Sequence, residues 1–295
     1  MFLEMTKFLV TGSAGLIGTQ IVKDLLEMNF EVYSCYTKNK PEVGISKHLE
    51  LTEENEIRSV LNEVKPDVVI HLGAMTDVDQ CEEQKEIASL INEKATQIIA
   101  EESVKINAFF IYVSTDYVFD GKTGMKNEED TPNPVNFYGK SKLDGEIILK
   151  KLIPSCSIIR TSTPFGLHPK KKTFPLWVKE NLESKNEIPV VIDQFTSPTY
   201  VPNLSKMIIE VAGKKNTGII HLAGRTRISR YEFAKKIAEK LNLDPNFLKP
   251  IKIADMKWQA KRPQDSSLDV SKAHSILDNK PQDIEESLGF FIKEI

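Results

Sequence analysis

The chain has 295 residues, 40% hydrophobic and 27% charged, with a formal net charge of −3. That is enough for a substantial core, and its near-neutral balance gives no global reason to expect nucleic acid or an anionic membrane as partner. Cys35, Cys81 and Cys156 are too few and too scattered for a disulfide framework, and the five histidines lack metal-ligand spacing, so a reducing, cytoplasmic setting without a metal centre is expected.

No stretch approaches 18 apolar residues, which argues against a membrane span. Met1 to Val10 carries Glu4 and Lys7 and has no long apolar run, so a signal peptide is not expected. Lys7 to Thr11 reads as a short strand, followed at once by Gly12, Gly15 and Gly18 in a Gly-x-x-Gly-x-x-Gly turn. Leu16, Ile17, Ile21, Val22, Leu25 and Leu26 then recur with helical period. Strand, glycine turn and helix together favour a dinucleotide site, because glycines let backbone approach a pyrophosphate and the helix start offers free N–H groups.

Glu31 to Tyr36 is the second strand. Where a carboxylate would hold an NAD ribose, the chain reads Tyr36-Thr37-Lys38-Asn39-Lys40, two ammonium groups suited to a 2′-phosphate. A third strand is expected at His48 to Leu51, a helix at Glu53 to Val64 and a fourth strand at Val68 to Leu72. Small residues follow in Gly73-Ala74-Met75-Thr76-Asp77, and Glu82 to Lys105 reads as one long helix with Asn92 inside it.

Phe109 to Val113 is a buried strand with Ser114 and Thr115 at its end. A loop from Phe119 to Phe137, rich in Gly and Pro, is long for a compact domain and therefore a functional flag. A helix opens near Tyr138, and Cys156 to Arg160 is a sixth strand. Beyond it come helical Phe174 to Leu182, extended Ile188 to Ile192, a helix at Asn203 to Val211, a strand at Gly218 to Leu222 and a capped helix from Ser229 to Leu241. Lys249 to Pro263 reads as irregular. Lys170-Lys171-Lys172 is the one basic run and reads as a solvated loop. Alternating strands and helices imply an α/β fold, a doubly wound parallel Rossmann sheet with a smaller C-terminal substrate lobe. The expected division is a core of 1–165 to which 193–225 returns, and a lobe of 166–192 with 226–295.

Ligands in such sheets bind outside the carboxyl ends of the strands. Tyr138 and Lys142 are four residues apart and share one helical face, close to the hydroxyls of Ser114 and Thr115. Phenol, ammonium and hydroxyl together can protonate a carbonyl oxygen. Lowering a tyrosine from about 10 to about 7 takes roughly 4 kcal/mol, which an adjacent Lys⁺ and a cationic nicotinamide can supply. The same spacing occurs at Tyr36 with Lys40 and Tyr231 with Lys235, but neither follows a hydroxyl-bearing strand end.

These residues resemble the extended short-chain dehydrogenase/reductases, and within them the dTDP-4-dehydrorhamnose reductase family. The resemblance spans the chain. It rests on Thr11-Gly12-x-x-Gly15-x-x-Gly18, His71-Leu72-Gly73-Ala74-Met75-Thr76-Asp77, Ser114-Thr115-Asp116-Tyr117-Val118-Phe119-Asp120-Gly121 and Tyr138-Gly139-x-Ser141-Lys142. It continues through Asp193-Gln194-x-x-Ser197-Pro198-Thr199-Tyr200, Ile228-Ser229-Arg230-Tyr231 and Arg262-Pro263.

The resemblance implies NADPH-dependent reduction of a 4-keto-6-deoxy sugar nucleotide, with NADH as the alternative cofactor and a homodimer as one form. Thr115, Tyr138 and Lys142 would be catalytic. Gly12, Gly15, Leu16, Ile17, Gly18, Thr37, Lys38, Leu51, Thr52, Leu72, Gly73, Ala74, Thr76 and Ser114, with Tyr138 and Lys142, would bind cofactor. Thr76, Asp77, Val78, Thr115, Asp116, Tyr117, Tyr138, Thr163 and Arg262 would bind the nucleotide sugar. One departure concerns the sugar: the family pattern has Trp where this chain has Thr163, so a wider, less selective pocket is expected. Two alternatives accompany this reading. One is a regulatory subunit resembling the β subunit of methionine adenosyltransferase, and the other is an NAD-dependent epimerase or dehydratase.

Overall fold

The computed structural model describes residues 6–295; Met1 to Met5, part of the segment read as lacking a signal peptide, lie outside them. Seven parallel strands form the central sheet: β1 (Lys7–Thr11), β2 (Glu31–Tyr36), β3 (Ile45–His48), β4 (Val68–His71), β5 (Phe109–Thr115), β6 (Ser157–Thr161) and the strand Gly218–His221. Their spatial order is Gly218–His221, β6, β5, β4, β1, β2, β3, so the winding reverses between β1 and β4. That reversal opens a crevice at the strand ends, where ligands of such sheets sit.

Near-continuous apolar runs such as Val68–His71, buried at every position, mark strands covered on both faces. On one face α1 (Leu16–Glu27) and the helix Val201–Lys214 pack Ile21, Leu25, Leu204 and Ile208 against Phe8, Val10 and Ile70. On the other, α2 (Glu54–Val64) brings Ile57 and Leu61 to Leu9 and Val69. A separate core gathers Phe165, Val178, Tyr200, Phe233, Leu288 and Phe291 from segments after β6.

Two expectations are corrected. The third strand is Ile45–His48, not His48 to Leu51. Gly44, at φ 81°, turns the chain into it early, and Leu49 then bonds back from its N–H to Tyr36 O at 2.8 Å. Leu49 is buried and Leu51 half-buried, both against the core that α2 covers and both lining the cleft.

The long helix from Glu82 to Lys105 is broken. Asp77 caps a short α3 (Val78–Glu83), Gln84 leaves helical geometry at φ −120°, and α4 (Lys85–Ser89) passes through a π-helical turn (Leu90–Lys94) into α5 (Ala95–Lys105). An extra residue per turn shifts the face a side chain occupies, and here it aims the fully buried Asn92 inward. Asn92 Oδ1 accepts from Met75 N at 2.8 Å, while Nδ2 donates to Met75 O at 3.0 Å and Ser141 Oγ at 2.9 Å. The loop after β4 is thereby clamped to α6 (Phe137–Leu152).

The loop between Phe119 and Phe137 is braced rather than free. Met125 N donates to Ser267 Oγ at 2.8 Å, and Glu128 Oε1 accepts from His221 N at 2.9 Å.

Candidate active site

A cleft of about 920 Å³ runs along the strand ends from the glycine turn to α6, near the upper end of small-molecule sites. At its floor, β5 ends in Ser114 and Thr115, in register with Arg160 and Thr161 of β6. The start of α6 is fixed by Asn136, whose Oδ1 accepts from Gly139 N at 2.8 Å. Gly139 has no room for a side chain, since a Cβ would lie 2.1 Å from Tyr117 O. That close approach sets Tyr138 beside the end of β5, with the Tyr117 and Tyr138 rings 6.0 Å apart and steeply tilted.

One and two turns further along α6, Lys142 and Glu146 are buried. Lys142 Nζ lies 4.0 Å from the Tyr112 ring centroid. Glu146 accepts from Ser114 Oγ at 2.6 Å, Arg160 Nε at 3.0 Å and Arg160 Nη2 at 2.7 Å, a bidentate pair removed from water. Ser114 therefore spends its proton on Glu146 and turns its lone pairs elsewhere. Thr115 Oγ1 donates to Asp116 Oδ1 at 3.0 Å and accepts from Tyr117 N at 3.2 Å. Asp116 Oδ2 takes Ser162 Oγ at 2.7 Å.

Burial raises the Tyr138 phenol above its ordinary range, the Thr115 hydroxyl opposing. Burial lowers Lys142 to about 7, the Glu146 carboxylate opposing. The surrounding protein groups thus hold the phenol protonated and draw Lys142, rather than Tyr138, toward neutrality. A protonated phenol is the state a proton donor requires.

A second buried chain ties the glycine turn to the π turn. Thr96 Oγ1 donates to Asn92 O at 2.8 Å, so it accepts from His71 Nε2 at 3.0 Å. His71 Nδ1 then accepts from Thr11 Oγ1 at 2.7 Å, and Thr11 in turn accepts from the N–H groups of Leu72 and Gly73. Burial lowers His71 to about 3, so the ring stays neutral.

Gly12, Gly15, Leu16, Ile17, Gly18, Thr37, Lys38, Leu51, Thr52, Leu72, Gly73, Ala74, Thr76, Ser114, Tyr138 and Lys142 all line this one cleft, as do Val78, Thr115, Asp116, Tyr117 and Thr163. Asp77 and Arg262 do not. The Asp77 carboxylate accepts from Gln80 N at 2.9 Å as a helix cap. Arg262 pairs with Asp79 at 3.0 Å and lies 5.1 Å from the Trp258 ring. Lys40 is also outside the lining, whereas Lys171 and Arg230, which sequence reasoning left out of the site, are within it. Arg230 lay inside a quoted motif; Asn92 and Glu146 are polar residues at buried helical positions, the signal that could have found them.

Thr163 adopts φ +41°, a left-handed conformation unusual for a β-branched residue, and strain of this kind gathers at functional sites. None of Phe165, Trp177 and Trp258 replaces the expected Trp. Phe165 is locked in the second core against Tyr200, Phe233 and Phe291, Trp177 packs on Phe174, and Trp258 sits under Arg262.

The backbone at the glycine turn leaves room for a dinucleotide to approach closely. Gly12 stands at φ +63°, where a Cβ would lie 2.9 Å from Gly73 N, and α1 starts with no side-chain cap. Thr161 Oγ1 is buried in the cleft floor without a partner among the described residues.

The family model described as RmlD substrate binding domain matches residues 6–295. The chain belongs to the dTDP-4-dehydrorhamnose reductase family. Among its relatives, the dTDP-4-dehydrorhamnose reductase of Aggregatibacter actinomycetemcomitans is 32% identical, covering 96% of this chain and 97% of that protein. Methionine adenosyltransferase 2 subunit beta of Xenopus tropicalis is 30% identical over 91% of this chain and 81% of its own. The solved structure of the Bacillus anthracis dTDP-4-dehydrorhamnose reductase in complex with NADP superposes with a TM-score of 0.89 at 31% identity, covering 99% of this chain and 100% of that one. The chain is thus an oxidoreductase of this reductase type, with the family's Rossmann-like sheet.

Proposed function

We propose that the protein reduces the 4-keto group of a dTDP-linked 4-keto-6-deoxy sugar with NADPH, in the manner of dTDP-4-dehydrorhamnose to dTDP-L-rhamnose. The observation that carries this reading is the convergence of Thr115, Tyr138 and Lys142 at one end of a cleft whose other end is the glycine turn. Gly12, Gly15, Gly18, Thr37 and Lys38 would hold the dinucleotide, which when bound supplies a hydride. Tyr138 gives its proton to the carbonyl oxygen. The phenolate left behind is stabilised by Lys142 in its protonated form, and a lysine near 7 can return a proton. Thr115 orients the oxygen, held in place by Asp116 and Tyr117 N.

A second reading, a regulatory subunit, is favoured by the similarity to the methionine adenosyltransferase subunit. One experiment separates them. Purified protein is assayed for NADPH oxidation with a panel of 4-keto sugar nucleotides, alongside Tyr138→Phe. Turnover by the wild type and a loss of about 10²–10⁴ in the variant, with cofactor affinity kept, is the expected result. Wild-type rates in the variant would remove Tyr138 as the acid, and no turnover of any keto sugar by either protein would favour the regulatory reading. Because Thr163 stands where the family pattern has Trp and lines the cleft with Pro164, several sugars should be accepted with similar efficiency.

A further inference from the structure

We infer that residues 168–172 form a strap laid across the glycine turn, and that Lys171 on it is a binding residue for the dinucleotide's pyrophosphate. This rests on the proposed use of a nicotinamide dinucleotide. His168 Nδ1 accepts from Lys170 N at 3.1 Å, so the proton of the neutral ring is on Nε2, which meets Ala14 O at 3.1 Å. Ala14 lies inside the glycine turn, so a segment that follows β6 is fastened to the first turn of the chain. The base of the strap is closed by Thr173 Oγ1, which donates to Gly166 O at 3.0 Å.

The three lysines of the basic run are all exposed, but they differ in their partners. Lys172 is paired with Glu180 on the helix that follows. Lys171 has no ion-pair partner among the described residues and lines the cleft together with Gly12, Ala14 and Gly15. It is three residues from the His168 tether, a span of at most about 10 Å.

The positions of the other cations in the lining make its place distinctive. Lys142 is at the reaction end beside Tyr112, Arg230 starts a helix of the second core, and Lys38 follows β2. None of them belongs to the glycine turn. A pyrophosphate at the glycine turn would have the uncapped start of α1 and the Lys171 ammonium as its partners. Because both cofactors share a pyrophosphate and only one carries a 2′-phosphate, Lys171 should act on NADPH and NADH alike, unlike Lys38.

The test is titration of the full chain with NADPH and with NADH at low and high salt, comparing wild type with Lys171→Ala, Lys172→Ala, His168→Ala and Lys38→Ala. Lys171→Ala should weaken both cofactors by a similar factor, roughly three- to tenfold, and the factor should shrink as salt screens the charge. His168→Ala should weaken both by releasing the strap, Lys172→Ala neither, and Lys38→Ala NADPH alone. Unchanged affinity for both cofactors in Lys171→Ala, or a loss confined to NADPH, would overturn the inference. A wild type that binds neither dinucleotide would overturn the cofactor reading, and the strap with it.

Discussion

The two ends of the cleft are built differently. Around Tyr138 and Lys142, polar atoms are tied to one another: Ser114 to Glu146, Glu146 to Arg160, Thr115 to Asp116, Asp116 to Ser162. Around Lys38, after β2, side chains stand exposed on a loop tied at its two ends, by Thr37 Oγ1 to Leu49 O and by Ser34 Oγ to Val43 O, each at 3.0 Å. Chemistry at one carbonyl needs donors fixed to a fraction of an ångström, and a buried network supplies that at the cost of desolvation. Telling one cofactor from another needs only a net charge near a phosphate, and an exposed lysine suffices. Changes at the reaction end should therefore register in folding as well as rate, and changes at the second-strand end in cofactor preference alone.

The largest effect expected on stability is at Glu146. Its carboxylate is the sole ion partner of the buried Arg160 among the described residues, and removing one member of a buried pair strands the other charge. Glu146→Ala should cost about 3–5 kcal/mol in urea denaturation, and replacing both with Glu146→Leu and Arg160→Met should recover most of it. A loss below about 1 kcal/mol in the single variant would show that the reaction end is no more tightly built than the other.

Acid stability sharpens the same contrast. His71 is lowered to about 3 by burial and by Lys142, and His221 to about 3 by burial and by Arg160. Both are bases depressed on folding, so below 6.5 the unfolded chain takes up protons that the folded chain refuses. Their stabilising contribution is present above about pH 6.5 and is lost as pH falls toward 3. Between pH 7 and pH 5 each histidine should remove about 2 kcal/mol. His71→Asn should halve the slope of stability against pH over that window; an unchanged slope would mean His71 is protonated in the fold.

How far the sequence discloses this follows the same division. Local signals serve well: β2 runs Glu31–Tyr36, the helix Phe174–Glu183 opens where Pro175 favours a helix start, and Ser229 caps Arg230–Lys240 by accepting from Glu232 N. The cleft residues drawn from strand ends also fall together. What local pattern could not disclose depends on partners far along the chain. The period of the segment 82–105 reads as one helix because its apolar residues recur on schedule, yet Asn92 is drawn inward by Met75 and Ser141. The third strand was misplaced because Leu49 and Leu51 are apolar for the sake of α2 and the cleft. Arg262 is paired with Asp79, a partner 183 residues away that no local pattern announces.

The smallest effect is expected at the open end, where it isolates one charge. Lys38 lines the cleft and Lys40 does not, so a preference for NADPH should rest on Lys38 alone. A 2′-phosphate carries close to two negative charges, and a contact to an exposed ammonium is worth about 1 kcal/mol once solvent screening is counted. Lys38→Ala should lower the preference for NADPH over NADH by roughly fivefold, leave NADH affinity and urea stability unchanged, and lose its effect at high salt. Lys40→Ala should do nothing measurable, and the double variant should match Lys38→Ala. If Lys40 proves equal to Lys38, or if the wild type binds both cofactors equally, the second-strand end does not select by charge, and discrimination must come from the shape of the pocket around Thr37 and Leu51.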